Sequence, residues 1–326
     1  MKKIIITGCS GYIGSCLFFY LRSKYKIIGI DKKKTNLFTI NNYDLLNFNK
    51  INQILKKEKP DLIVHLAAQS LVDETVKKDK YYLNNIMATT NLLKCMKINN
   101  LNNLIFSSTA AVYKVKNNLI NEKDNLNPIS TYAKTKHECE KLIKKSKINS
   151  IILRFFNVCS SMSINNKKIV GELHDPETHL IPTVVYKNLH QKKVYLYGNN
   201  YQTPDGTCIR DYIHIKDICS AIDKSINYLT NNFIKSQIIN IGSSSHLTNL
   251  QIIKKIDNLT KLKTNYEVKK NRKGDVDKLV CSISKAKEII NWKPQFSKIK
   301  IIINDEIKWV KHLKKINIKR RFKNYI

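Results

Sequence analysis

After Met1-Lys2-Lys3 the chain runs Ile4-Ile5-Ile6 into Thr7-Gly8. An apolar β-branched run without alternation predicts a strand buried on both faces. Apolar positions at Ile13, Leu17, Phe18 and Leu21 predict a helix over 12–24. A second strand is expected over 26–30, closed by Asp31. The alternation continues with a helix near 48–58, a strand over 62–66, a helix over 81–99 and a strand over 103–107. A helix over 131–147 and a strand over 151–154 extend it. Strands alternating with helices predict a parallel sheet covered on both faces, a doubly wound α/β fold.

Beyond about residue 158 the pattern loosens. A loop-rich stretch over 159–178 precedes a helix near 180–191 and short strands near 194–197 and 210–215. Helices over 217–230, 248–260 and 302–315 and a strand over 238–241 complete the reading. Two lobes are expected: a first domain over 1–158 and a smaller α+β domain over 159–326. Segments near 210–242 are expected to pack back on the first domain.

The 326 residues carry 58 Lys+Arg against 25 Asp+Glu, a net charge of +33. Such an excess invites a nucleic-acid reading. The lysines, however, are spread over the whole chain, with no zinc-finger spacing, basic zipper region or aromatic RNA-binding motif. Only six of the 58 are Arg, and Ile and Asn are also abundant, which marks drift toward A+T-rich codons. No nucleic-acid partner is expected, and the basic tail from Lys311 to Arg321 reads as a solvated helix end. The eight cysteines show no C-x-x-C pair, so no metal is expected and the thiols read as free. With no leader-like or membrane-length apolar run, the chain reads as a cytoplasmic protein without a membrane partner.

Three motifs carry chemistry. Gly8-Cys9-Ser10-Gly11-Tyr12-Ile13-Gly14 joins the first strand to the first helix. Glycines there let the backbone approach a pyrophosphate lying on the helix N-terminus, as in Rossmann dinucleotide sites. Asp31 would accept from the adenosine ribose hydroxyls and repel a 2′-phosphate, so the expected cofactor is NAD rather than NADP. Tyr132 and Lys136 stand four apart on one helix face. An ammonium nearby lowers a phenol pKa, making the pair a general acid–base beside a cofactor. Thr109, in Ser107-Ser108-Thr109, falls just past a strand's carboxyl end, where open parallel sheets bind ligands.

Together these motifs resemble the extended short-chain dehydrogenase/reductase superfamily, and within it the UDP-glucose (UDP-galactose) 4-epimerases. The resemblance runs nearly end to end. It includes His65-Leu66-Ala67-Ala68, Ser70 to Thr75, Tyr81 to Asn85 and Arg154-Phe155-Phe156-Asn157. Its most specific stretches are Asp175-Pro176-Glu177-Thr178-His179-Leu180-Ile181-Pro182, and Asp205-Gly206-Thr207 with Arg210-Asp211-Tyr212-Ile213-His214. Arg272-Lys273-Gly274-Asp275 and Asn291-Trp292-Lys293-Pro294 follow.

The resemblance implies a UDP-sugar substrate, NAD as cofactor and inversion at sugar C4 through a 4-keto intermediate. It implies Tyr132 as base, Lys136 on the nicotinamide ribose and Thr109 on the sugar 4-oxygen. Gly8, Gly11, Tyr12, Ile13, Gly14, Asp31, Asp44, Leu45, Leu66, Ala67, Ala68, Asn85 and Phe156 would contact NAD, together with Tyr132 and Lys136. Asn157, His179, Leu180, Tyr197, Arg210, Arg272, Asp275 and Leu279 would line the nucleotide-sugar pocket. It also implies a homodimer through helices near 81–99 and 131–147.

Ser70 stands where some relatives carry a Lys near the pyrophosphate. Leu279 stands where some carry a bulky Tyr, which leaves room for a 2-acetamido group and opens UDP-N-acetylhexosamine as an alternative substrate. UDP-glucuronate is a further one. Lys114 replaces a usual Gly, so a strained turn is expected there. Dehydratases need an Asp-Glu pair after the threonine; Ala110 and Ala111 hold those places. A decarboxylase would need a cationic pocket with no marker here. A different class, an inactive NAD- or polyanion-binding protein, is opposed by the intact Thr109, Tyr132 and Lys136. His65, His214, Trp292 and Trp309 read as structural.

Overall fold

The computed structural model describes residues 1–70, 77–114, 118–165, 168–174, 176–272, 275–316 and 318. The quoted stretch over 71–75, Asp175, Lys273-Gly274 and the end of the basic tail lie outside the described residues.

The first half alternates as expected. β1 (Lys3–Thr7), α1 (Tyr12–Leu21), β2 (Lys26–Ile30), α2 (Phe48–Glu58) and β3 (Leu62–His65) come first. The helix expected over 81–99 is three joined segments: α3 (Lys78–Tyr81), a π-helical stretch (Tyr82–Met87) and α4 (Ala88–Ile98). β4 (Asn103–Thr109), a 3₁₀ turn (Ala110–Val112), α5 (Thr131–Lys145) and β5 (Asn149–Phe155) follow. Then come three short strands, β6 (Asn157–Cys159), β7 (Ser161–Ser163) and β8 (Ile169–Gly171), and α6 (Leu180–Leu189) with β9 (Val194–Tyr197). The strand expected over 210–215 is split at Asp211 into β10 (Ile209–Arg210) and β11 (Tyr212–His214). The rest is α7 (Ile215–Asn231), β12 (Gln237–Ile241), β13 (Leu247–Thr248), α8 (Asn249–Thr260), β14 (Tyr266–Lys269), β15 (Lys278–Leu279), α9 (Ser284–Ile290) and α10 (Ile299–Lys315).

Six strands form one parallel sheet in the order β12-β5-β4-β3-β1-β2. The chain steps outward from β1 to β2 and then crosses to β3 on the other side. That reversal leaves a crevice at the carboxyl end of β1, where ligands of such sheets sit. The unalternating apolar strands are explained by their surroundings. Ile4 and Ile6 belong to a core with α1, α7 and α9, whereas Ile5 belongs to an opposite core with α2, α4 and α5. Beyond Lys3 both faces of β1 are dry, so both parities there are apolar. A third core joins α6, α8 and α10 beside β9. All eight cysteines are buried and free. Among the described residues no helix is long and apolar enough to cross a membrane.

Lys114 needs no left-handed backbone: it is absent from the positive-φ residues, and its N–H donates to Asn125 O at 2.8 Å. The strain expected there does not arise. Trp292 and Trp309 pack and each donates its indole N–H, to Ser220 Oγ at 2.8 Å and to Glu172 O at 2.9 Å.

A buried ionic knot ties α5 to the sheet. Arg154 on β5 forks onto Glu140 of α5, Nε to Oε1 at 2.9 Å and Nη2 to Oε2 at 2.6 Å, and Ser108 Oγ on β4 donates to Oε1 at 2.5 Å. Both charged residues are 1% exposed. Burial opposes the Glu140 charge, yet Arg154 and Ser108 hold its carboxyl below the ordinary carboxylate range. Removing one partner of such a pair costs more than the pair contributes, since the other charge is stranded. Glu140→Gln is therefore expected to lower unfolding free energy by about 3–5 kcal/mol, with Glu140→Leu/Arg154→Met recovering most of it. Urea unfolding checks this; a loss under about 1 kcal/mol in the single variant would show the knot to be slack.

Candidate active site

The glycine loop closes β1 onto α1. Gly8 has φ +72°, and a Cβ there would stand 2.6 Å from Ala67 N. A Cβ on Gly14 would stand 2.1 Å from Gly8 O. Only glycine allows the first conformation without strain and the second approach at all. Gly11 is the N-cap of α1 and offers no side-chain cap, so the helix begins with backbone N–H groups open to an anion. Asp31 ends β2 beside the loop and accepts from Ser10 N–H at 3.0 Å and Lys33 N–H at 2.9 Å. The cradle, the open helix start and the fixed carboxylate together fit a dinucleotide.

Other expected cofactor contacts divide into loop walls and supports. Leu66 and Ala67 follow β3 directly behind Gly8, with Leu66 N–H on Thr7 O at 3.1 Å. Ala68 continues that wall and is half-buried. Ile13 packs against the core on the α1 side. Asn85 is buried in the π-helical turn; its Oδ1 accepts Gln69 N–H at 2.8 Å and its amide donates to Thr135 Oγ1 at 2.9 Å. It thereby holds the 66–70 loop against α5. Asp44 caps its own loop through Leu46 N–H at 2.9 Å, and Leu45 is a core residue. Phe156 is buried with its N–H on Ile241 O at 3.1 Å. The Tyr12 hydroxyl donates to Ser160 O at 2.5 Å, linking the glycine loop to the second half of the chain.

Ser130 caps α5 by accepting Ala133 N–H at 3.1 Å, which sets Tyr132 and Lys136 in its first two turns. The Tyr132 hydroxyl lies near enough to the Thr109 side chain for Thr109 to lower its pKa, and Thr109 Oγ1 accepts Ala111 N–H at 3.2 Å. Tyr132 is raised to about 12, chiefly by burial and in smaller part by Cys139 and Tyr81, with Thr109 working the other way. Lys136 Nζ lies over the Phe106 ring, 4.4 Å from its centroid, and burial pushes its pKa down to about 8. In the protein alone the pair is thus held as a neutral phenol and a readily discharged amine. His65 bridges Thr7 Oγ1 (2.7 Å) and Thr89 Oγ1 (3.0 Å) and is a satisfied core residue.

A second pocket lies across the crevice. Asn157, His179, Leu180, Tyr197, Arg210 and Arg272 line it together, joined by Thr178, Tyr212 and Asn249. Asp275 stands between the arginines, 2.9 Å from Arg272 Nε and 3.5 Å from Arg210 Nη2. Arg272 lies over the Tyr197 ring and Arg210 donates to Val276 O at 2.7 Å. Leu279 pairs with the pocket's Arg210 across β10–β15 and packs on the core. The specific stretches around it are scaffolding. Asp205 accepts from Thr207 N–H at 3.0 Å and from Thr248 Oγ at 2.5 Å. Asp211 accepts Ser243 and Ser244 N–H groups, and His214 caps α7 through Lys216 N–H at 3.0 Å while facing Asp305.

Sequence reasoning missed the Glu140–Arg154–Ser108 knot and the pocket residues Thr178, Tyr212 and Asn249. Thr178 and Tyr212 lie inside quoted stretches, so their signal was present; Asn249 opens a helix and has none.

This arrangement defines a nucleotide-cofactor enzyme with a separate anion pocket. The chain belongs to the NAD dependent epimerase/dehydratase family, whose sequence profile matches residues 4–242. A UDP-glucose 4-epimerase of Lactobacillus helveticus is 33% identical over 324 residues, spanning 95% of this chain and 97% of that one. The UDP-glucose 4-epimerase of Brucella ovis, solved in complex with NAD, superposes with a TM-score of 0.88 at 29% identity, covering 95% of this chain and 98% of that one. The UDP-Glc/GlcNAc 4-epimerase of Campylobacter jejuni gives 0.80 at 29%, covering 95% and 99%.

The depressed Lys136 has a stability consequence. Its folded pKa, about 8, lies below the ordinary 10.5, so the fold disfavours the ammonium. That cost is full below pH 8 and gone above 10.5. In protein stripped of dinucleotide, Lys136→Met is expected to be more stable at pH 7, by up to about 3 kcal/mol. The gap should shrink as pH rises toward 10.5, read as the difference between two urea-unfolding series.

Proposed function

We propose that the protein is an NAD-dependent 4-epimerase that interconverts UDP-glucose and UDP-galactose. The observation that carries this is the Tyr132 hydroxyl beside Thr109 at the carboxyl end of β4, with Lys136 one turn along α5. When bound, NAD supplies the hydride acceptor and return donor at C4.

The chain's own residues supply position and proton traffic. Gly8, Gly11 and the start of α1 hold the pyrophosphate, and Asp31 holds the adenosine ribose. Thr109 Oγ1 holds the sugar 4-oxygen. Tyr132 Oη takes the 4-hydroxyl proton and returns it to the 4-keto sugar. Its high pKa in the protein alone means positive charge must be brought beside it; the Lys136 ammonium provides part. Charged Lys136 favours phenolate Tyr132, and loss of that charge restores the neutral phenol. Arg210 and Arg272 hold the UDP diphosphate, so the sugar can turn its other face while remaining tethered. Ala110 and Ala111 form the 3₁₀ turn after Thr109 and offer no carboxyl for elimination.

Activity on the N-acetylated pair is the second reading, supported by the likeness to the Campylobacter jejuni enzyme. A homodimer through the 78–98 and 131–145 helices is supported by Tyr82 and Leu83, 52% and 43% exposed on the first of them. Eight buried free thiols suit a reducing compartment, and we place the protein in the cytoplasm.

Tyr132→Phe is expected to keep NAD bound while turnover falls by at least about 100-fold. The test incubates UDP-galactose, and separately UDP-N-acetylgalactosamine, without added NAD and reads the C4 epimer by NMR. Epimer from neither sugar with the parent protein would overturn the assignment.

A further inference from the structure

Between β8 and α6 the chain gathers four donor side chains that the proposed reaction does not use as a group. Glu172 follows β8, His174 and Glu177 lie in the connecting loop, and His179 is the N-cap of α6. One donor atom from each lies within 4.8 Å of the other three. His174 Nδ1 is 2.6 Å and His179 Nδ1 2.9 Å from Glu172 Oε1, and His179 Nδ1 is 3.1 Å from Glu177 Oε1. Glu172 is 1% exposed and Glu177 is fully buried.

We propose that Glu172, His174, Glu177 and His179 form a structural site for one divalent transition-metal ion, zinc by its ligand set, which pins the loop beside the nucleotide-sugar pocket. The reasoning is geometric first. Four ligands about 2.0–2.1 Å from a tetrahedral zinc lie roughly 3.3 Å apart. Three of the separations, 2.6, 2.9 and 3.1 Å, are a little shorter than that edge and the rest lie within 4.8 Å, so an ion would spread the first three and draw in the others to complete the tetrahedron. Electrostatics agree. The two buried carboxylates are met here by the imidazoles of His174 and His179, and a dication would take over that role with release of the imidazole protons. Imidazole nitrogen with carboxylate oxygen suits zinc; magnesium and calcium take oxygen donors alone.

The supporting shell is in place. Glu177 Oε1 accepts Thr178 N–H at 2.8 Å and His179 N–H at 2.9 Å. The Glu172 carbonyl accepts the Trp309 indole N–H, and Gly171 lies so close beneath that ring that a Cβ would stand 2.8 Å from it. Such contacts orient ligands before the ion arrives. Because the spacing is Glu-x-His-x-x-Glu-x-His and contains no cysteine, it matches no pattern by which the sequence alone suggests a metal. The site would hold the His179 ring and the start of α6 where both border the pocket.

The test uses the full chain, exposed to excess Zn²⁺ and dialysed against metal-free buffer. About one zinc per chain is expected, with a higher thermal midpoint than the chelator-treated protein. His174→Ala/Glu177→Gln is expected to lose at least about tenfold in zinc content. Less than about a tenth of an equivalent in the parent protein would overturn the proposal, as would unchanged zinc in the double variant. Should the variant fail to fold, the parent loaded with Co²⁺ decides. Tetrahedral visible absorption without a thiolate charge-transfer band supports the site. A thiolate band, or octahedral absorption alone, overturns it.

Discussion

The buried fork of Arg154 on Glu140 is the constraint on which the catalytic end of this molecule depends. It reaches four elements. Ser108 brings in β4, Glu140 belongs to α5 and Arg154 to β5. Arg154 also lies over the Tyr113 ring, 4.7 Å from its centroid, and Tyr113 Oη donates to Asn240 of β12 at 2.7 Å. Every group that would meet the sugar or the nicotinamide is a short step from this knot. Thr109 is Ser108's neighbour, Lys136 is one turn and Tyr132 two turns before Glu140, and Phe156 and Asn157 follow Arg154 along the chain. A buried ion pair is a poor source of net stability. Its use here is geometric: a bidentate fork fixes distance and orientation at once, whereas an apolar contact would let α5 slide along the sheet.

That helps explain why so much of the scaffold was legible and why the knot was not. Ile4-Ile5-Ile6 announced a strand with two dry faces because each side chain reports its own surroundings. The glycine loop was legible for the same reason: its demand for small residues is local, and it falls between a strand and a helix. The fork joins residues fourteen apart on different elements, and neither partner carries a mark of it. The strands β6, β7, β8, β10, β13 and β15 span two or three residues and show no period at all. The π-helical turn at Tyr82–Met87 likewise hides inside an ordinary helical pattern while placing Asn85 between the 66–70 loop and Thr135. The carboxylate–imidazole cluster at 172–179 depends on a loop folding back on itself.

Lysine and arginine divide the work in a way the bare charge of +33 conceals. Fifty-two lysines are spread along the chain, while three of its six arginines, at 154, 210 and 272, hold fixed forks: Arg154 on a buried carboxylate, Arg210 on Val276 O and Asp275, Arg272 on Asp275 and the Tyr197 face. A lysine ammonium is a point charge on a flexible stem and could replace none of these geometrically. Asp275 has a particular place in that set. In the protein alone it sits between Arg210 and Arg272 and partly offsets their charge, which keeps two guanidinium groups side by side without a ligand. With both guanidinium groups already fixed by these partners, less ordering would remain to be done when an anion binds at the pocket they line. The same preorganisation explains why carboxylates beside the pocket are used on backbone amides: half-buried Asp205 holds the turn at Thr207 before the strand that carries Arg210, and fully buried Asp211 holds the chain just after it to Ser243 and Ser244.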